Sequence, residues 1–115
     1  MLIEKYVMDF LSEKMGVHAY GQFDDATEKV FLVVEKTGSY TSNKIEHATL
    51  IVQSYAGSIA ESAKLNRKVI KAMDNIIEND TISSIDLNSD YNYTDTSLKR
   101  YRYQAVFDIT YFDYE

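Results

Sequence analysis

The sequence predicts an α+β fold: a single domain, mainly an antiparallel sheet of four or five strands with two helices packed on one face. Three observations predict it. Residues 2–15 and 58–79 repeat apolar residues at the spacing of an amphipathic helix. The segments rich in Val, Ile, Tyr and Phe read as strands joined in hairpins. With 115 residues the chain has the length of one domain with a single modest core, and residues 1–115 are read as that domain.

The first helix places Ile3, Tyr6, Val7, Phe10 and Leu11 on one face, with Glu4, Lys5, Asp9 and Glu13 elsewhere. Gly16 is positioned to stop it in a left-handed conformation. Residues 17–23 read as a short strand and residues 23–26 as a turn. Residues 29–36 form a strand whose run Phe31, Leu32, Val33, Val34 implies cover on both faces. Residues 37–46 are polar, contain Gly38, and read as the loop of a long hairpin; residues 48–55 are the return strand.

The helix at 58–79 opens with a capping box, Ser58 and Glu61. Ile59, Ala63, Leu65, Val69, Ile70, Ala72, Met73, Ile76 and Ile77 share one side, an arc broad enough to touch both a sheet and the first helix. Lys64, Arg67, Lys68 and Lys71 form a basic stripe opposite, read as a solvated face or a docking site for an acidic neighbour. In the final hairpin Ile85, Leu87, Ser89, Tyr91 and Tyr93 alternate with Asp86, Asn88, Asp90 and Asn92. Residues 94–97 turn the chain. Tyr101, Tyr103, Ala105, Phe107, Ile109 and Tyr111 then alternate with Arg100, Arg102, Gln104, Asp108 and Thr110. The alternation sends Arg100 and Arg102 to the side opposite Tyr101, Tyr103 and Phe107, free to meet a neighbour.

Composition narrows the function. A net charge of -6 disfavours adhesion to nucleic-acid phosphates. Without Cys there is no disulfide framework and no thiolate chemistry. No basic region followed by an apolar run opens the chain, so no signal peptide is expected, and no apolar run has the ~20 residues of a membrane span. The sequons at Asn79 and Asn92 are then coincidental. Ten Tyr residues suit either strands or protein interfaces.

No motif commits the chain to catalysis. His18 and His47 lack the neighbouring nucleophile and orienting acid of a His base. Asp86-x-Asn88-x-Asp90-x-Asn92 imitates the start of a calcium loop, but Tyr91 stands where Gly is needed and Ser97 where a bidentate Glu is needed. Strand alternation explains the same residues as a wet face. The scattered Gly residues make no phosphate loop, and Asp24-Asp25 reads as a solvated turn. Neither metal nor cofactor is expected. Arg100-Tyr101-Arg102-Tyr103, flanked by Asp residues, suits a protein contact better than single-stranded nucleic acid.

Three pieces carry a family resemblance. They are Val33-Val34-Glu35-Lys36-Thr37-Gly38, then Leu50-Ile51-Val52-Gln53-Ser54-Tyr55-Ala56 leading into Ser58, Glu61, Ala63 and Leu65, and Arg100-Tyr101-Arg102-Tyr103-Gln104-Ala105. In order and spacing they resemble the tail terminator (tail completion) proteins of long-tailed phages with non-contractile tails. Family members often have Pro before the strand near Lys29, and this chain has none. The resemblance implies a non-enzymatic structural protein of the virion, assembled in the host cytoplasm. It implies a ring of copies, commonly a hexamer, that caps the major tail tube protein, stops tube polymerisation, and offers a head-neck connector protein its joining surface. DNA passes through such a ring without binding. The expected interface comprises Thr37, Gly38, Ser39, Tyr40, Thr41, Ser42, Asn43 and Lys44 of the loop, with Arg100 and Arg102. Two other classes stay open: another neck or head-closure component, and an unrelated small-molecule-binding or catalytic α/β domain.

Overall fold

The computed structural model describes residues 1–113, and the fold is α+β. Helix α1 (Ile3–Met15) leads into β1 (Ala19–Tyr20), a 3₁₀ turn (Phe23–Asp25), β2 (Phe31–Ser42) and β3 (Ile45–Tyr55). Helix α2 (Ile59–Asp74) and a second 3₁₀ turn (Ile76–Glu78) precede β4 (Ile82–Asn92) and β5 (Arg102–Phe112). The strands lie in the order β1-β2-β3-β5-β4. All pairs are antiparallel except β1 with β2, so the sheet is mixed. The short β1 reaches a parallel register because Ala19 and Tyr20 lie alongside Leu32 and Val33.

Each helix ends as its residues dictate. Gly16 takes φ 67°, a left-handed value that Gly adopts without a Cβ clash, and its N–H donates to the Ser12 carbonyl. Ser58 caps α2 by accepting from the Glu61 N–H at 3.1 Å. Replacing Ser58 with Ala should lower stability by about 1 kcal/mol, measured by urea denaturation; an unchanged midpoint would mean that the cap contributes nothing.

The core lies between the helices and one face of the sheet. Ile3, Val7 and Leu11 of α1 and Leu65, Val69 and Met73 of α2 meet Val34, Leu50, Val52, Phe107 and Ile109. The broad arc expected of α2 is turned relative to the sheet. Ser62 and Asn66 are buried, whereas Ile59 and Ile77 are exposed. Ser62 tolerates burial because its hydroxyl donates to the Ile59 carbonyl, and the Asn66 amide donates to Asp90. The helix expected to run to 79 ends at Asp74. The tighter 3₁₀ turn that follows leaves the 3.6-residue period, burying Ile76 and exposing Ile77.

Residues 37–46 are a correction. They are not a loop: β2 continues to Ser42, and the hairpin turns on Asn43 and Lys44 alone, at φ 52° and 66°. Positive φ at both positions is the signature of the tight turn that matches strand twist, and Asn favours it. Gly38 lies at a bulge, where the register steps between Lys36 and Gly38. Because β3 pairs with β5 along its length to Ile45, this end of β2 is the edge of a continuous sheet.

Two more bulges reshape β4, between Ile82 and Ser84 and between Leu87 and Ser89. The second makes Asn88 an extra residue and inverts every side chain beyond it. Leu87 opposes Phe107 on the helix side, but Tyr91 opposes Gln104 on the other side, and Asp90 is turned toward α2. The expected single face of Leu87, Ser89 and Tyr91 is therefore divided, and so is the expected wet face of Asp86 and Asp90.

Candidate protein-interaction surface

Both helices cover one face of the sheet, so the other is open except at one corner. There the segment after β1 folds back, and Tyr20, Phe23 and Ala26 pack on Phe31, Val33 and Tyr55. Phe31 and Tyr55 stack at 4.6 Å, and Phe23 leans on both. This small second core explains why all four residues from Phe31 to Val34 are buried, as their apolar run implied.

The register orders the rest of the open face into rows. One row is Val33, Gln53, Gln104 and Tyr91; the next is Glu35, Ile51, Val106 and Ser89. Then come Gly38, Thr49, Asp108 and Asp86, followed by Tyr40, His47, Thr110 and Ser84. A polar chain crosses the upper rows. Arg102 Nη1 donates to the Tyr55 hydroxyl at 2.9 Å, Tyr55 to Gln53 Oε1, Gln53 Nε2 to Gln104 Oε1, and Gln104 Nε2 to the Tyr91 hydroxyl at 2.6 Å. Lower down, Tyr40 and His47 stack at 4.5 Å, nearly parallel.

The residues expected at an interface fall in two places. Thr37, Gly38, Ser39, Tyr40, Thr41, Ser42, Asn43 and Lys44 are all exposed on the outer end of β2 and its turn. Arg100 and Arg102 lie at the opposite end, beside the second core. Their side chains do leave Tyr103 and Phe107 on the helix side, but they are not free. Arg102 Nε also donates to the Tyr93 carbonyl at 2.7 Å, and its guanidinium lies 4.5 Å from the Tyr93 ring. Arg100 lies 4.2 Å over Phe23. Strand alternation gave their side correctly; only the fold-back of Phe23 and the bulge that turns β4 supply the rings that hold them.

One polar cluster escaped the sequence reading. Glu28 accepts from the Tyr20 hydroxyl at 2.6 Å and lies 2.6 Å from His18 Nδ1. The Tyr20 hydrogen bond, assisted by His18, lowers the Glu28 carboxyl from 4.5 to about 2. His18 and Glu28 border an open groove of about 760 Å³ with Asp9, Ser12, Glu13 and Val30. Their separation of ten positions gave no motif. The fold-back of residues 21–28 brings them together.

A depressed carboxylate stabilises the fold only while ionised. The Glu28 contribution is present above its ordinary 4.5 and is lost as pH falls toward about 2. A Glu28→Gln variant should therefore lose less melting temperature than the wild-type protein across that interval. Parallel slopes in melting curves against pH would remove Glu28 from the acid response.

The described residues contain no group of three or more His, Asp or Glu side chains arranged to hold a metal ion. Among the described residues no helix is long and apolar enough to cross a membrane. In comparisons with known proteins, no protein-family model and no curated protein matches this chain.

Proposed function

We propose that this chain is a phage structural protein that caps the end of the tail tube, stops its polymerisation, and forms the surface to which the filled head joins. The observation that carries the reading is the outer end of β2. Its eight exposed residues, 35–42, extend roughly 25 Å at about 3.4 Å per residue. One side of this segment is paired to β3; the other presents backbone donors and acceptors, and from Thr37 onward every side chain but that of Tyr40 is short. Such an edge is a template for strand addition by a neighbouring protein. The sequence resemblance supplies the setting: a ring of copies, the tube protein on one side and the neck connector on the other, with DNA passing through. The acidic balance suits that passage, since like charge keeps DNA from adhering.

The test is a set of tails assembled with and without the protein, measured by electron microscopy. Omitting it should give tails of uncontrolled length without heads. A Ser39→Asp/Tyr40→Ala/Ser42→Asp variant keeps the hairpin pairing and should stay within about 1 kcal/mol of wild-type stability, yet fail to stop growth. Normal tail length with that variant would remove the β2 edge from the mechanism. If tails are normal without any of this protein, the capping function falls.

A second reading has one observation in its favour. The groove beside His18 and Glu28, with Asp9 and Glu13 on its wall, suits a small cationic ligand. Titration of small amines while following the His18 ring resonances would support it if those shifts saturate.

A further inference from the structure

We propose that copies of this chain associate head to tail, the basic face of α2 on one copy docking on the open sheet face of the next. The inference deepens the ring-forming reading above and rests on it for its biological setting. The two faces lie on opposite sides of a two-layer molecule, so one copy can engage a neighbour on each side. A contact between unlike faces propagates and closes into a ring when the rotation permits.

Charge complementarity selects the occupant. On the helix side Lys64, Arg67, Lys68 and Lys71 are exposed, and Lys14 of α1 joins Lys68 and Lys71 around a shallow hollow. Among the described residues none of these cations has an ion-pair partner. On the open face Asp86 stands directly opposite Asp108, with Glu35 one row away. Like charges directly opposed across a strand pair are destabilising. Asp108 has only neutral partners, Thr49 at 3.3 Å and Asn88 at 3.1 Å, and among the described residues Asp86 has none. A cation arriving from outside relieves that repulsion. The same carboxylates border a hollow of about 160 Å³ with Thr49, Ser84 and Thr110 as acceptors, room for the end of one long side chain.

The dimensions agree. From Lys64 to Lys71 the stripe runs roughly 10 Å along the helix. From Glu35 to Asp86 the carboxylates span roughly 15 Å across four strands. Ile51 and Val106, half-buried between them, provide the apolar centre. Six residues on each of four strands cover roughly 400 Å² per copy, an area of the weak class. Association in free solution is then feeble and salt-sensitive, and becomes strong only where a tube end holds several copies together.

The test is zero-length carbodiimide cross-linking of a mixture of isotopically light and heavy full-length protein, read by mass spectrometry. Expected at low salt are mixed-isotope links from Lys64, Lys68 or Lys71 to Asp86 or Asp108, falling about tenfold or more at high salt. A Lys64→Glu/Lys68→Glu/Lys71→Glu variant and an Asp86→Lys/Asp108→Lys variant should each lose self-association. Mixed together, the two should recover it, because every contact is again between opposite charges. If the lysine pair prevents folding, Asp86→Ser/Asp108→Asn should fold and lose the salt-sensitive self-association in sedimentation, a readout that does not need the carboxylates. Links confined to other surfaces, an unaffected variant, or no recovery on mixing would overturn the proposal. Normal tail capping by both single-face variants would sink head-to-tail docking and leave the capping function standing. Docking in solution together with normal tails in the protein's absence would remove the capping function and leave docking standing.

Discussion

Replacing Phe107 with Ala should cost about 3–5 kcal/mol. Phe107 is almost wholly buried on the helix side of β5, in the row that also holds Leu50 and Leu87. Truncation removes a ring from a core enclosed by both helices, and the packed surroundings relax only partly into the space left. A chain of this size has roughly 6–15 kcal/mol to lose, so the melting temperature should fall by roughly 15–25 °C. Val106 is the control. It is the next residue, half-exposed on the open face, and Val106→Ala should cost about 1 kcal/mol or less. Equal losses at the two positions, in denaturant melts, would refute the register that puts them on opposite faces.

Arg102→Ala should cost about 1–2 kcal/mol, and Arg102→Lys should recover little of it. The guanidinium bonds the Tyr93 carbonyl with one nitrogen and the Tyr55 hydroxyl with another. A charged donor of this kind contributes more than a neutral one, and its half-exposure keeps the figure modest. Lysine carries one ammonium and cannot reproduce the planar fork. Loss at Arg102 also frees the Tyr55 hydroxyl at the head of the polar chain to Tyr91. Arg100→Ala, which gives up only the stacking on Phe23, should cost about 0.5–1 kcal/mol. The plain reading of strand alternation, that both arginines are free, expects no loss at either. Thermal melts of the single variants decide between them.

The fate of these arginines shows where local pattern stops being informative. Alternation fixes the side of a strand from which a residue departs. It carries no information on what another part of the chain brings to that side. Phe23 reaches Arg100 and Tyr55 because residues 21–28 fold over the sheet corner, a path with no periodic signal. The same fold-back unites His18, Tyr20 and Glu28. The hairpin end imitates a loop for a different reason: both faces of this end of β2 are exposed, so its residues run polar without alternation, and Gly38 adds to the likeness. The Asn43-Lys44 pair held the available signal for a two-residue turn.

What the sequence by itself determined are the features whose causes are local. Gly16 ends the first helix because it accepts a left-handed backbone. Ser58 starts the second because its hydroxyl meets a free amide. Apolar spacing buries Val7, Leu11, Leu65 and Val69, and apolar strands bury Val34, Val52 and Phe107. From these follow the α+β class and helices on one face of the sheet. Only the tertiary structure decided the parallel pairing of β1, the corner core around Phe31 and Tyr55, and the assignment of faces beyond Asn88. A single inserted residue in β4 inverts all that follows it, moving Tyr91 to the open face and Asp90 toward α2. A period-two pattern looks the same before and after such a bulge, because the partner strand, not the strand's own residues, decides where the extra residue is left unpaired.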